Sequence, residues 1–264
     1  MTCINVCSGP LLTEINVLVS ASAHKSAAMA TDLHLDVGLS RSRSGHRRGD
    51  RLGEAARRKL EHTLLYSEEL DIDLAKRSDV EYFRWFLASL LFGARISETT
   101  AKNTYRSFVR HGLAGPEEIL TAGWDFLVRT VMREGGYVRY DGRKSTQVLR
   151  DCEKLVAEYG GSLSRLHETA RDAHEVEEKL LAFYGVGPIT MNIFLRELRP
   201  FWIKADPHPL PVVETLAERL GIDLKRYSRK SLVFARVEAG LVRRRREVAP
   251  TGPAAHPDRL APGA

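Results

Sequence analysis

The chain has 264 residues, 43% of them hydrophobic and 28% charged, with a formal net charge of +6 and a pI near 9.3. That is the composition of an ordinary globular protein of one large domain or two small ones, long enough to bury a core without covalent staples. It contains no run of about eighteen apolar residues that would span a membrane. Its three cysteines, Cys3, Cys7 and Cys152, exclude both a disulfide framework and a four-cysteine zinc or iron–sulfur site within this chain.

Residues 1–50 lack sustained periodicity, and Ser, Ala, His and Arg crowd the stretch from Ser20 to Arg51. They read as a flexible basic arm, either a DNA-binding extension or one of no consequence. Gly53 to Leu65 predicts an amphipathic helix. Val80 to Phe92 is apolar on most faces and predicts the central buried helix. Ser97 is placed to cap a helix that runs to Arg110 and stops at Gly112. Pro116 opens a short helix, and Trp124 to Arg133 forms another. A turn at Gly135-Gly136-Tyr137 leads into a long helix from Arg143 to Tyr159, ended by Gly160-Gly161. Ser162 to Ala170 is short, His174 to Tyr184 leads into Gly185, and Pro188 to Leu198 follows. Pro209 to Leu220 stops at Gly221, and Ser228 to Arg243 closes the domain. Arg243 to Arg246 then open a Pro- and Gly-rich tail over 243–264, a phosphate grip or a solvated end. No convincing strand or repeat appears, so the fold class is all-α, with the folded part over 51–242.

Two segments carry chemistry. In Gly185-Val186-Gly187-Pro188 the first glycine permits positive φ at a helix stop. Val186 can turn inward, Gly187 leaves room for close approach, and Pro188 suits the first helical position. Unpaired N–H groups at the new helix start make a phosphate site, although the same turn also serves as a plain connector. Nineteen residues after Gly187, Lys204-Ala205-Asp206-Pro207-His208-Pro209 places an aspartate before a proline-rich helix entry. The local reading of Asp206 is an N-cap. The chemical reading is a carboxylate, held ionised at a helix N-terminus, that stabilises an oxocarbenium-like sugar or orients water as a flipped base departs.

The order of apolar helix, Gly-Val-Gly-Pro, Thr-containing helix and Asp206-Pro207-His208 resembles the helix-hairpin-helix/Gly-Pro-Asp DNA glycosylase superfamily, the group of endonuclease III and the alkyladenine glycosylases. Upstream, Phe86 to Ser97 resembles the buried helix and loop of endonuclease III, and Gly136-Tyr137 with Arg143-Lys144 resembles another of its segments. The resemblance covers roughly Val80 to Gly221. It implies a two-lobed helical fold, a monomer, and damaged or mismatched double-stranded DNA as partner; with no apolar span or signal-like start, the expected location is the cytoplasm or nucleoid. It implies base excision with Asp206 as the catalytic residue. The implied DNA contacts are Gly185, Val186, Gly187, Thr190, Arg95 (near the family's gap-filling glutamine), Lys144 and His208. Trp202 is the best of the three tryptophans for a pocket wall, with Trp85 and Trp124 in the core.

Two departures matter. The family's lyase lysine is matched here by Ile189, which implies a monofunctional hydrolase. Lys204 or Lys144 could stand in as a lyase amine, but both read better as phosphate-facing or solvated. No cysteine follows Cys152, so no iron–sulfur cluster, metal or other cofactor is expected. The competing readings are a non-catalytic hairpin DNA-binding protein and a bifunctional glycosylase/lyase using an unusual lysine.

Overall fold

The strongest apolar run in the chain becomes the axis of the structure. The computed structural model describes residues 53–247; the N-terminal arm, Cys3, Cys7 and the tail beyond 247 lie outside the described residues. The described residues form only helices and turns, so the fold is all-α.

The first helix, α1, covers residues 53–61, shorter than its periodicity predicts. Then α2 (Asp79–Phe92) runs through the core, with Trp85, Phe86, Leu87, Ala88 and Leu91 all buried. Each fully buried large apolar side chain contributes roughly 1.5–3 kcal/mol. The Ser78 hydroxyl caps the helix by accepting from Glu81 N. The Asp79 carboxylate accepts from Ser162 Oγ and Ser164 N, both at 2.8 Å, which ties the start of α2 to a later helix. The Trp85 indole donates to Phe194 O at 3.0 Å.

Against this axis packs α3 (Glu98–Arg110, capped by Ser97), while α4 (Pro116–Phe126) and α5 (Asp141–Tyr159) pack chiefly on each other. Gly123, at φ 73°, breaks α4 and is followed by one π-helical stretch, Leu127–Met132. That break is the boundary expected between a Pro116 helix and a Trp124 helix. Gly160 and Gly161, at φ 63° and 79°, end α5. Then come α6 (Leu163–Thr169), α7 (Ala173–Leu181), α8 (Pro188–Leu198), α9 (Pro211–Arg219) and α10 (Leu232–Arg243).

Apolar side chains gather into two clusters. The larger surrounds α2; the smaller joins Leu60, Val213, Leu216, Val237 and Leu241 from α1, α9 and α10 with Ile222 from the turn after α9. Among the described residues no helix is long and apolar enough to cross a membrane.

Several side chains depart from the sequence reading. Trp124 is not core: it is exposed, and its Nε1 donates to Gly142 O and Thr146 Oγ1. Helix α9 starts at Pro211 rather than Pro209, and α10 at Leu232 rather than Ser228, because Leu210 and Ser231 are the caps. Arg243 is no solvated tail residue. It lies 3.9 Å over the Tyr66 ring, donates to Leu64 O and pairs with Glu69.

Candidate functional site

The turn between α7 and α8 is longer than its sequence predicts, because α7 ends at Leu181 rather than Tyr184. Phe183 is buried, Gly185 has φ 70°, and Val186 is buried between the helices. Gly187 is the N-cap of α8 and Pro188 its first residue. The first intrahelical bond runs from Met191 N to Gly187 O at 3.0 Å. Pro188 has no N–H, so the Ile189 and Thr190 amides are the donors without a helical acceptor. A side chain added at Gly187 would meet nothing, so this face of the turn is open to a ligand. At Gly185 it would press on the Gln147 amide, at 3.1 Å.

That contact leads into a cleft of about 800 Å³. Three segments distant in sequence line it: Gly93-Ala94-Arg95 after α2; Tyr137, Arg139, Tyr140, Arg143, Lys144 and Gln147 at the start of α5; and Tyr184-Gly185 of the turn. Among the described residues no acidic side chain lines it. Arg139 sits over the Tyr140 ring at 5.1 Å, and Arg150 over the Tyr184 ring at 4.5 Å. Tyr140, at φ 64°, holds a left-handed conformation on the cleft rim, which costs a non-glycine residue about 1–2 kcal/mol. Sequence reasoning missed Arg139, Tyr140, Arg143 and Tyr184 as cleft residues; the one local signal was the run of aromatic and basic types from Tyr137 to Arg143 at the entry to α5.

The cleft thus brings together Arg95, Lys144 and Gly185. Lys144 is neither solvated nor turned outward. Its Nζ donates to Leu90 O at 3.0 Å and to Gln147 Oε1 at 2.6 Å, closing the C-terminal turn of α2. Burial pulls its amine down to about 8. Deeper on the same face of α5, burial pushes the Asp151 carboxyl up to about 7, against the pull of the Tyr184 backbone and Lys144. Thr190 also differs from expectation: it is buried, with its hydroxyl against Gly93, where an added Cβ would come within 2.0 Å of it. Its side chain therefore faces the α2 turn and not the exterior.

Asp206 lies in the loop between α8 and α9. It caps no helix, and the expected support from a helix N-terminus is absent; arginines take its place. Arg229 Nε donates to Asp206 Oδ1 at 2.9 Å, with Arg229 Nη2 also at 2.9 Å, and Arg199 Nε stands 3.4 Å from the same oxygen. Among the described residues Oδ2 has no partner, and the side chain is 33% exposed. One oxygen is held and the other is presented. Arg229 also donates to Asp206 O and Pro207 O. Arg199 is fully buried, donates to Pro207 O and pairs with fully buried Glu238 of α10. Burial, with Arg229 nearby, lowers its guanidinium to about 9.

Further bonds fix the same loop. Lys230 Nζ reaches Ile203 O and Ala205 O. Lys204, a candidate lyase amine by sequence, is spent on His167 O, Glu168 O and Ala170 O at the end of α6. Asn192 Nδ2 of α8 donates to His208 O at 2.7 Å, joining the hairpin helix to the loop, and the His208 side chain is exposed. Trp202, expected as a pocket wall, is core. It stacks on His167 at 4.6 Å and meets Tyr82 and Phe194 edge-on.

Chemically, the described residues offer a basic, aromatic-edged cleft beside an open helix N-terminus and, not among the residues lining that cleft, a carboxylate fixed at one oxygen. Among the described residues no cluster of three or more His, Cys, Asp or Glu side chains is placed to hold a metal. Compared with known proteins, the chain matches no family model, no curated protein and no solved structure.

Proposed function

We propose that the chain is a DNA N-glycosylase of two-lobed helix-hairpin-helix architecture, which extrudes a damaged or mismatched base from duplex DNA and hydrolyses its glycosidic bond with Asp206. The observation that carries this reading is the convergence of Arg95, Lys144 and Gly185 on one cleft that no acidic side chain lines among the described residues. A polyanion entering it meets Arg95 and Arg143, which have no ion pair of their own among the described residues, and the free amides of the turn. The exposed rings of Tyr140 and Tyr184 suit stacking against unpaired bases.

Asp206 supports the chemistry through its unshared Oδ2. A carboxylate pinned at one oxygen can place the other against a sugar carbon that gains positive charge, or against the attacking water. Ile189 is exposed in the first turn of α8 and supplies no amine, and Lys204 is fully engaged. Both facts support a monofunctional hydrolase that leaves the strand intact.

A second reading, a non-catalytic DNA-binding protein, draws support from the same arginines, because two cations on Oδ1 offset the charge that would stabilise an oxocarbenium. A panel of duplexes, each carrying one altered base, separates the two. Strand breaks appearing only after alkali support the glycosylase. Binding to every duplex with release from none supports the binding protein. Breaks without alkali, trapped by borohydride, would assign a lysine to lyase chemistry.

A further inference from the structure

Asp206 and the cleft are separate places: among the described residues, none that lines the cleft belongs to the Asp206 loop. They are neighbours nonetheless. Gly185 of the turn lines the cleft, and Asn192, which holds the Asp206 loop at His208 O, lies four residues beyond Pro188, about 6 Å along α8. Extruding one base from a duplex leaves two bases unpaired, the extruded base and its former partner on the other strand. Asp206 serves the first. The cleft is left for the second, and its volume of about 800 Å³ lies within the range, about 300–1,000 Å³, of sites that enclose small molecules.

The lip of the cleft carries a preformed pair. Tyr140 holds its left-handed backbone at the N-cap of α5, where its side chain makes no capping bond and is 63% exposed. Strain of this kind collects where a side chain has to be aimed. Arg139 lies over the Tyr140 ring, 5.1 Å from its centroid, and its Nη2 donates to Tyr140 Oη at 3.3 Å. That bond uses one of the five guanidinium N–H groups. Among the described residues Arg139 has no ion pair, so the ring holds the guanidinium while most of its donors stay open to the cleft.

We infer that the cleft receives the base left unpaired on the opposite strand, with Tyr140 stacking on it and Arg139 reading its edge, so that the substrates are altered bases standing opposite guanine or cytosine. This selection rests on the glycosylase reading, since extrusion is what frees the opposite base. A guanidinium donates two parallel N–H bonds and fits an edge with two neighbouring acceptors. Guanine has such an edge at O6 and N7, and unpaired cytosine at O2 and N3. Adenine and thymine have none, because each of their acceptors stands beside an N–H or alone. Nor does the cleft answer the adenine amine: among the described residues no carboxylate lines it, and Gln147 Oε1 already accepts from Lys144.

The test uses the full chain and four duplexes that carry a tetrahydrofuran abasic analogue opposite guanine, cytosine, adenine or thymine, with an intact duplex as reference. Affinity is measured at one salt concentration by fluorescence anisotropy. The abasic duplexes are expected to bind more tightly than the intact one, and those with guanine or cytosine opposite about tenfold more tightly than those with adenine or thymine. Arg139→Lys keeps the charge and loses the fork; it should level the four affinities and leave their salt dependence unchanged. Tyr140→Gly relieves the backbone strain and removes the ring; it should weaken all four by about tenfold without lowering the melting temperature. Equal affinity of the wild type for all four abasic duplexes overturns the inference and leaves the glycosylase reading standing. A preference that survives in Arg139→Lys overturns the assignment of Arg139. Abasic duplexes bound no better than the intact one overturn both the inference and the reading beneath it.

Discussion

The Asp206 loop and the cleft are both rich in cations, but they use them in opposite ways. At the loop, Arg199, Arg229, Lys230 and Lys204 all turn inward onto carbonyls and carboxylates of the chain itself. At the cleft, Arg95 and Arg143 have no ion pair among the described residues, and Lys144 alone is committed inward. The first set of charges holds a fold together; the second is left for a ligand. A net charge of +6 cannot distinguish the two, because what matters is which cations already have partners.

The largest expected effect breaks the loop side of this contrast. Replacing Glu238 by Gln leaves buried Arg199 with Asp206 alone as counter-charge, and that carboxylate is shared with Arg229. Urea unfolding should show a loss of about 3–5 kcal/mol; a loss below 1 kcal/mol would mean that the pair does not anchor the loop. Next, Gly93→Ala drives a methyl into Thr190 at the junction of α2 and α8. It should cost about 1–3 kcal/mol and weaken DNA binding by displacing Arg95.

A smaller effect follows pH. Burial, reinforced by Lys204 and Lys230, lowers the His167 imidazole from 6.5 to about 4. The folded protein disfavours the charged ring, so its stabilising contribution is complete above pH 6.5 and falls away as pH drops toward 4. Melting temperature should decline across that window in the wild type, and less steeply in His167→Asn. The smallest effects sharpen the cleft side. Arg95→Ala and Arg143→Ala should leave melting unchanged, yet each should reduce the slope of log affinity against log salt by about one. Arg171→Ala, on an exposed residue paired with Glu175, should leave that slope unchanged.

What was legible in the sequence was what local chemistry decides. Ser97 caps because its hydroxyl reaches the amide three residues on, and Gly160 stops α5 because it accepts positive φ. The α2 segment reads as core because it is apolar on most faces. The environment of Asp206 was not legible, since its partners lie at Arg199 and, 23 residues on, at Arg229. An Asp-Pro pair looks like a cap until α9 is seen to begin at Pro211. Trp202 and Thr190 were misplaced for the same reason: a side chain's direction in a loop or first turn depends on what packs behind it, here His167 and Gly93. Arg95, Lys144 and Gly185 could be named singly, but only the folded chain puts them on one wall.

The most direct test of the account is single-turnover base release by wild type and Asp206→Asn on the same altered-base duplexes, with binding measured alongside. Asparagine keeps the size of the side chain and removes the charge that Arg199 and Arg229 hold. The account predicts that release falls by about a hundredfold or more while affinity for the duplex stays within about threefold, because the cleft that grips the DNA is untouched. Undiminished release by Asp206→Asn would contradict it.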